Sequence, residues 1–259
     1  MGTRPNLPKH AGRMHPSSWI PDGARSLLDV GCNTGDLLID CRKNFPDLAL
    51  AGIDINDLAV QAARKKLPGA EIQQGFGYQL PFADQRFDCV TCIEVIEHVP
   101  APQRPLLLAE MRRVLVPGGR LVLRCPHAGV FSWLDPQNFR FRAPGLYQLV
   151  VGAGKRDPDY HEGHEELVWH HHFTRDELLR TAGDGWETEA CEFGGLFLFP
   201  LSDILRWPFY RANRADSPIA RAVERMGRFE LDINFGSSSY DILLSLKKKP
   251  ASSSNGCSS

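Results

Sequence analysis

A short glycine turn constrains this chain more than anything else in it. Asp29-Val30-Gly31-Cys32-Asn33-Thr34-Gly35-Asp36 lies between two different periodicities. Before it, Ser26-Leu27-Leu28-Asp29-Val30 is a short apolar run that reads as a buried strand; after it, Leu37-Leu38-Ile39-Asp40-Cys41-Arg42-Lys43 has helical spacing. A strand that turns through glycines into a helix brings bare backbone close to a ligand and points N–H groups at it. The alternation of strand and helix recurs along the chain. Strands are expected at about 26–31, 49–54, 70–74, 88–93, 120–125, 186–193 and 239–247, and helices at about 35–45, 57–66, 103–115 and 174–182. Such an order predicts a mostly parallel sheet covered on both faces.

The spacing of the turn narrows the ligand. It is Gly-x-x-x-Gly, and Asn33 stands where a dinucleotide fingerprint has its middle glycine, the residue that lets a pyrophosphate approach. About 20 residues on, Gly52-Ile53-Asp54-Ile55 ends the second strand with a carboxylate able to accept from both ribose hydroxyls. A nucleoside without a phosphate to cradle fits both facts, and S-adenosylmethionine is such a ligand. A nicotinamide or flavin oxidoreductase is correspondingly disfavoured.

With those residues, the chain resembles the class I S-adenosylmethionine-dependent methyltransferases, in the broad group that includes ubiquinone-pathway and other small-molecule enzymes. Further motifs carry the resemblance in order: Gly75-Phe76-Gly77-Tyr78-Gln79-Leu80-Pro81-Phe82, then Phe87-Asp88-Cys89-Val90-Thr91-Cys92-Ile93-Glu94, then Leu115-Val116-Pro117-Gly118-Gly119-Arg120-Leu121. It implies an α/β, Rossmann-like seven-stranded sheet with helices on both faces and its last strand antiparallel. It also implies cofactor contacts from Asp29, Gly31, Cys32, Asn33, Gly35, Asp54, Ile55, Gly77, Ile93 and Glu94. Phe76 departs from the pattern, since an acidic residue there often accepts from the adenine amino group; stacking, backbone groups or Gln79 must serve instead.

One domain over 1–250 is expected, with the cofactor core at about 20–126 and a frayed tail at 251–259. At 259 residues and 42% hydrophobic content the chain can bury a full core. Two segments, about 127–172 and 195–238, exceed the minimal fold and are rich in aromatics, which suits lids and acceptor walls. In the second, Pro200 and Pro208 argue against a long helix at a membrane surface and for a packed lid. Arg140 and Arg142 flank Phe141 and could clamp an acidic acceptor, although a solvated face is the plainer expectation. Cys89 and Cys92, three apart on a strand, point to opposite faces and cannot share a metal or a disulfide.

Glu94-Val95-Ile96-Glu97-His98 follows the fourth strand. It resembles the Glu-x-x-Glu-His of metal-dependent O-methyltransferases, where a divalent ion polarises vicinal hydroxyls. Glu94, Glu97 and His98 are therefore candidate metal ligands, with His170, His171 and His172 in a suitable region; metal-free relatives with a similar Glu-His make the metal the less favoured reading. Methyl transfer needs only an aligned acceptor and a base, for which the candidates are His127, just after the fifth strand, and His171 from the group of His161, His164 and the 170–172 run. The expected activity is O-methylation of a small molecule, a sugar or a lipid-linked intermediate. The alternatives are a metal-dependent RNA 2′-O-methyltransferase and a cofactor-binding protein without catalysis. A net charge of −1 disfavours nucleic acid. Met1 to Pro21 has no apolar run and no segment is long enough to span a bilayer, so a cytoplasmic location is expected.

Overall fold

The computed structural model describes residues 12–135, 138–145, 170–212, 214 and 217–250. Seven strands form one sheet: β1 Ser26–Val30, β2 Ala49–Asp54, β3 Glu71–Gln74, β4 Phe87–Ile93, β5 Leu115–Pro126, β6 Trp186–Gly194 and β7 Asp241–Lys248. Their order is β3-β2-β1-β4-β5-β7-β6. The first five pair in parallel, and β7 runs antiparallel to both β5 and β6. This is the expected mostly parallel sheet with its last strand reversed.

Helices α1 Asp36–Asn44, α2 Asp57–Lys66, α3 Arg104–Val114 and α4 Arg175–Ala182 follow the sequence pattern closely. Their ends have local causes. Asn56 precedes α2, and its side chain accepts from the N–H groups of Leu58 and Ala59; Thr174 does the same for Glu177 in α4. Both faces of the sheet are covered. Leu107, Leu108, Met111 and Val114 of α3 and Leu178 of α4 pack on one face, while Leu38 and Cys41 of α1 and Val60 and Ala63 of α2 pack on the other. Cys89 lies in the second of these cores and Cys92 in the first, as their spacing on a strand requires.

The 195–238 insertion differs from its expectation. It contains two 14-residue helices, α5 Leu198–Arg211 and α6 Pro218–Leu231. Pro200 sits in the first turn of α5, where its missing N–H has no intrahelical carbonyl to serve. Pro208 lies inside the helix, so only one interior hydrogen bond is forgone. The two helices cross closely at Gly227, where a Cβ would lie 2.1 Å from Ser202 Oγ. β5 also begins earlier than the apolar pattern suggests: Leu115 pairs with Phe87, and the register shifts before Cys89 meets Arg120.

The start of β1 is pinned to β4 by reciprocal bonds. Asp88 Oδ2 accepts from the N–H of Arg25 (2.9 Å), the N–H of Ser26 (3.0 Å) and the Ser26 hydroxyl (2.9 Å), while Ser26 Oγ accepts from the Asp88 N–H at 3.0 Å. Removing the carboxylate leaves three donors to find water at a half-buried strand end. Asp88→Ala is expected to lower stability by about 1–3 kcal/mol, read as a lower urea midpoint with an unchanged slope.

Candidate functional site

The carboxyl ends of β1, β2 and β4 are level, since Val30 pairs with both Ile53 and Cys92. The turn after β1 is built from left-handed backbone at Gly31 (φ 77°), Asn33 (φ 46°) and Gly35 (φ 82°). Asparagine is among the few side chains that tolerate this conformation, so the missing middle glycine costs the turn little. Gly31 and Gly35 also have no room for a side chain: a Cβ would lie 2.2 Å from Val95 Cγ2 at the first and 2.9 Å from Leu67 Cδ1 at the second. Asp54, ending β2, faces the turn. Its Oδ2 accepts from the Asn33 N–H at 2.8 Å and its Oδ1 from the Asn56 N–H at 2.9 Å.

The other expected cofactor residues surround this point in different ways. Asp29 is buried, and its Oδ1 accepts from the Thr91 hydroxyl at 2.7 Å, so its side chain supports the turn from beneath. Burial pushes its carboxyl up to about 7, against the lowering effect of the Thr91 bond. Cys32 turns its sulfur inward, since a Cβ on Gly52 would meet Sγ at 2.8 Å; burial drives its thiol far above the usual range. Ile55 holds the Gln74 side chain through its carbonyl at 3.1 Å. Gly77 sits where a Cβ would crowd Leu107 and Val30. Phe76 stacks on Tyr78 with ring centroids 5.0 Å apart and is 39% exposed, an aromatic surface at the place where the acidic residue is missing.

Ile93 closes β4, and Glu94 follows it in a strained left-handed conformation (φ 55°). Glu94 Oε1 pairs with Arg124 Nε at 3.1 Å, and Arg124 also meets Asp241 Oδ2 at 3.3 Å. Burial works against the charge of Arg124, but the two carboxylates hold its pKa up. Glu94 is thus drawn away from the other two candidate metal ligands.

Glu97 and His98 instead meet residues from the first insertion. Glu97 is fully buried; its Oε1 lies 3.9 Å from His98 Nε2 and 3.6 Å from His170 Nε2. Among the described residues, neither Glu97 oxygen nor His170 Nε2 has a hydrogen-bond partner. Asp135 bridges two histidines, contacting His170 Nδ1 and lying 2.7 Å from His172 Nε2. Asn138 fixes the same backbone, donating to the His170 carbonyl at 2.7 Å and accepting from the His170 N–H at 2.9 Å. Burial opposes the charge on His170, but Asp135 and Glu97 raise it to about 10. Burial likewise pushes Asp135 up, yet the two histidines hold it well below the usual carboxylate range. Glu97, most strongly affected by burial, rises to about 7.

Among the described residues, two trios have ligand atoms mutually within 4.8 Å: Glu97, His98 and His170, and Asp135, His170 and His172. In the first trio Glu97 and His170 are buried and His98 is exposed; a carboxylate and two imidazoles are donors of the kind a divalent transition ion takes, once His170 has given up its proton.

The two histidines expected to be catalytic lie elsewhere. His171 Nε2 is 2.7 Å from Glu177 Oε1 on α4, and the structure does not bring it into the cluster. His127 makes a bridge to Phe173, and its ring packs edge-on to Phe193. Its Nδ1 lies 2.9 Å from the Ser239 carbonyl, and burial lowers its pKa. Asp135 and Asn138 carried no sequence signal; an isolated Asp before a proline is a common loop residue. Arg142 donates to the carbonyl of Trp133. His161, His164, Tyr147, Tyr160, Trp169 and the tail after 250 lie outside the described residues, as does the side chain of Arg140.

The sheet order, the reversed β7 and the turn facing Asp54 define the class I methyltransferase fold. Comparison with known proteins agrees: residues 27–119 match the family described as "Methyltransferase domain". Among relatives, a demethylmenaquinone methyltransferase of Deinococcus radiodurans is 36% identical over 135 residues, covering 49% of this chain and 55% of its own length. A ubiquinone/menaquinone biosynthesis C-methyltransferase of Dinoroseobacter shibae is 30% identical over 161 residues, covering 54% and 64%. The chain therefore spans less than two thirds of these relatives. An S-adenosylmethionine-dependent methyltransferase from Methanosarcina mazei superposes with a TM-score of 0.55 at 21% identity, covering 89% of this chain and 95% of that one. The resemblance to class I S-adenosylmethionine-dependent methyltransferases is borne out by these comparisons.

Asp29 makes the turn pH-sensitive. Its carboxyl titrates at 3.8 when unfolded and at about 7 when folded. Its protonation therefore favours the fold fully below the lower value, and that contribution is lost as pH rises to the upper one. Asp29→Asn should match the parent chain near pH 4 and melt higher at pH 8, by roughly 2–4 °C per kcal/mol of relieved burial. Melting curves across that window check it.

Proposed function

We propose that this protein is an S-adenosylmethionine-dependent methyltransferase acting on a small-molecule acceptor. The observation that carries the proposal is the pairing of the Gly31–Gly35 turn with Asp54, which keeps a carboxylate where a ribose diol would lie and a bare backbone where the methionine part would lie. Stacking on Phe76 and Tyr78 would hold the adenine.

The acceptor would sit beyond the carboxyl ends of β4 and β5, between the Glu97–His98–His170–Asp135 cluster and the aromatic wall where Phe131 packs on Phe197 at 5.3 Å. His98 is the half-exposed member, with buried Glu97 behind it. In this reading His98 takes the proton of an acceptor hydroxyl as the oxygen attacks the methyl carbon. The carbon–sulfur bond breaks with its electron pair on sulfur, and adenosylhomocysteine leaves. Glu97 steadies the imidazolium, and Asp135 positions His170 so that the cluster keeps its charge balance. His127, its Nδ1 directed to Ser239, is the second candidate base. In place of that arrangement, Glu97, His98 and His170 would hold a divalent ion, which would supply polarisation of neighbouring acceptor oxygens and leave the base to His127.

A carbon acceptor is the second reading, favoured by the name of the Dinoroseobacter shibae relative, a C-methyltransferase; the same base would serve an acidic C–H. Hydroxyls of sugars or lipid-linked intermediates remain within the first reading.

Asp54→Ala should weaken adenosylhomocysteine binding roughly 100-fold by calorimetry, the loss of two charge-assisted bonds. Unchanged affinity would sink the cofactor assignment. His98→Ala should reduce kcat by about 10²–10⁴-fold with that affinity intact. Glu97→Gln should move the acid limb of the kcat/KM profile to lower pH, since an imidazolium deprived of its carboxylate loses its proton more readily. Turnover that survives EDTA unchanged removes the metal from the scheme.

A further inference from the structure

Eleven large apolar side chains are exposed among the described residues, and eight of them lie within 130–141 and 197–233 rather than on the sheet or its covering helices. The helix α6 concentrates the pattern. Ala220, Gly227, Glu230 and Leu231 are its buried positions, and Gly227 meets Ser202 of α5. Every exposed residue of α6 is either apolar or arginine: Pro218, Ile219, Arg221, Ala222, Arg225, Arg228 and Phe229. Ile219 is 64% exposed and Phe229 72%.

Both acids of the helix are engaged, Glu230 inside the hairpin and Glu224 shared between the hairpin and Arg228 of the outward face. Glu224 pairs with Arg206 at 3.2 Å and Arg228 at 2.6 Å. Glu230 Oε2 accepts from the N–H groups of Leu196 and Phe199 at the start of α5. The outward face is therefore cationic and greasy at once, on a chain whose net charge is −1. That combination suits one kind of partner. Phenylalanine and isoleucine gain by entering acyl chains, while arginines keep their heads among anionic headgroups. A second copy of the same face would set arginine against arginine in a two-fold contact.

We propose that the α5–α6 hairpin docks this protein on an anionic lipid surface through the outer face of α6. The docking site adjoins the aromatic wall of the proposed acceptor site. Glu230 ties the end of α6 to the residues around Phe197, and Phe197 packs against Phe131. An acceptor carried in the bilayer would thus meet the enzyme at its mouth; this last step rests on the methyltransferase reading, whereas the docking does not.

The test is co-sedimentation of the full chain with vesicles of phosphatidylcholine alone and of phosphatidylcholine mixed with phosphatidylglycerol. Binding is expected only to the mixed vesicles and should weaken as salt shortens the Debye length. Phe229→Ser and the double change Arg221→Glu, Arg225→Glu should each lower partitioning about tenfold or more. Melting temperature and adenosylhomocysteine affinity of the variants report that the fold is intact. Equal binding to both vesicle types, no binding to either, or a concentration-dependent dimer abolished by Phe229→Ser with no vesicle binding would overturn the proposal. Vesicle binding without any methyl transfer would leave the docking standing and remove the enzymatic reading alone.

Discussion

Arg124 sits inside the sheet on β5, and the carboxyl edge is arranged around its charge. A buried guanidinium is tolerated only when its neighbours compensate it, and here Glu94 from the end of β4 and Asp241 from the start of β7 do so together. A further bond reaches the Met14 carbonyl, so the segment before β1 is tied to the same point. The arginine thus joins the parallel half of the sheet to the reversed strand. It also divides the acids that follow β4. Glu94 is spent on the ion pair, and Glu97, three residues on, is left for the histidines.

That division explains why the Glu-x-x-Glu-His segment behaves differently from its linear pattern. Spacing alone places Glu94, Glu97 and His98 together, but it says nothing of a cation arriving from the neighbouring strand. The cluster that does form draws on Asp135 and His170, which lie 35 residues apart in the chain. Nothing local announces such a pairing, because its members come from separate parts of the chain. The proposed chemistry therefore rests on groups that only tertiary structure assembles, while the proposed cofactor site rests on groups that sequence already aligned.

The parallel half of the fold was legible for the same reason. Strands β1 to β4 and helices α1 to α4 have short, regular apolar patterns with asparagine, threonine or glycine at their edges, and each boundary falls within a few residues of the periodicity. The second insertion was less legible because Pro200 and Pro208 read as breakers. A proline in a first turn is no breaker, the more so where Glu230 accepts from the N–H groups of Leu196 and Phe199 beside it, and a single interior one forgoes only one bond. Among the histidines, only tertiary contacts distinguish His170 from His171, neighbours in sequence bound to different acids.

The two backbone N–H groups held by Asp54 have a consequence for how a ligand would be received. The carboxylate is oriented from the moment the chain folds, by Asn33 on one side and Asn56 on the other. Its rotamer freedom is surrendered in folding, so no part of that entropy remains to be lost at encounter. The same two bonds link the loop after β1 to the start of α2, so the two sides of the receiving cleft cannot shift independently. Recognition at this end would proceed as insertion into a rigid frame, and any adaptation to differently shaped acceptors must come from the insertions on the other side.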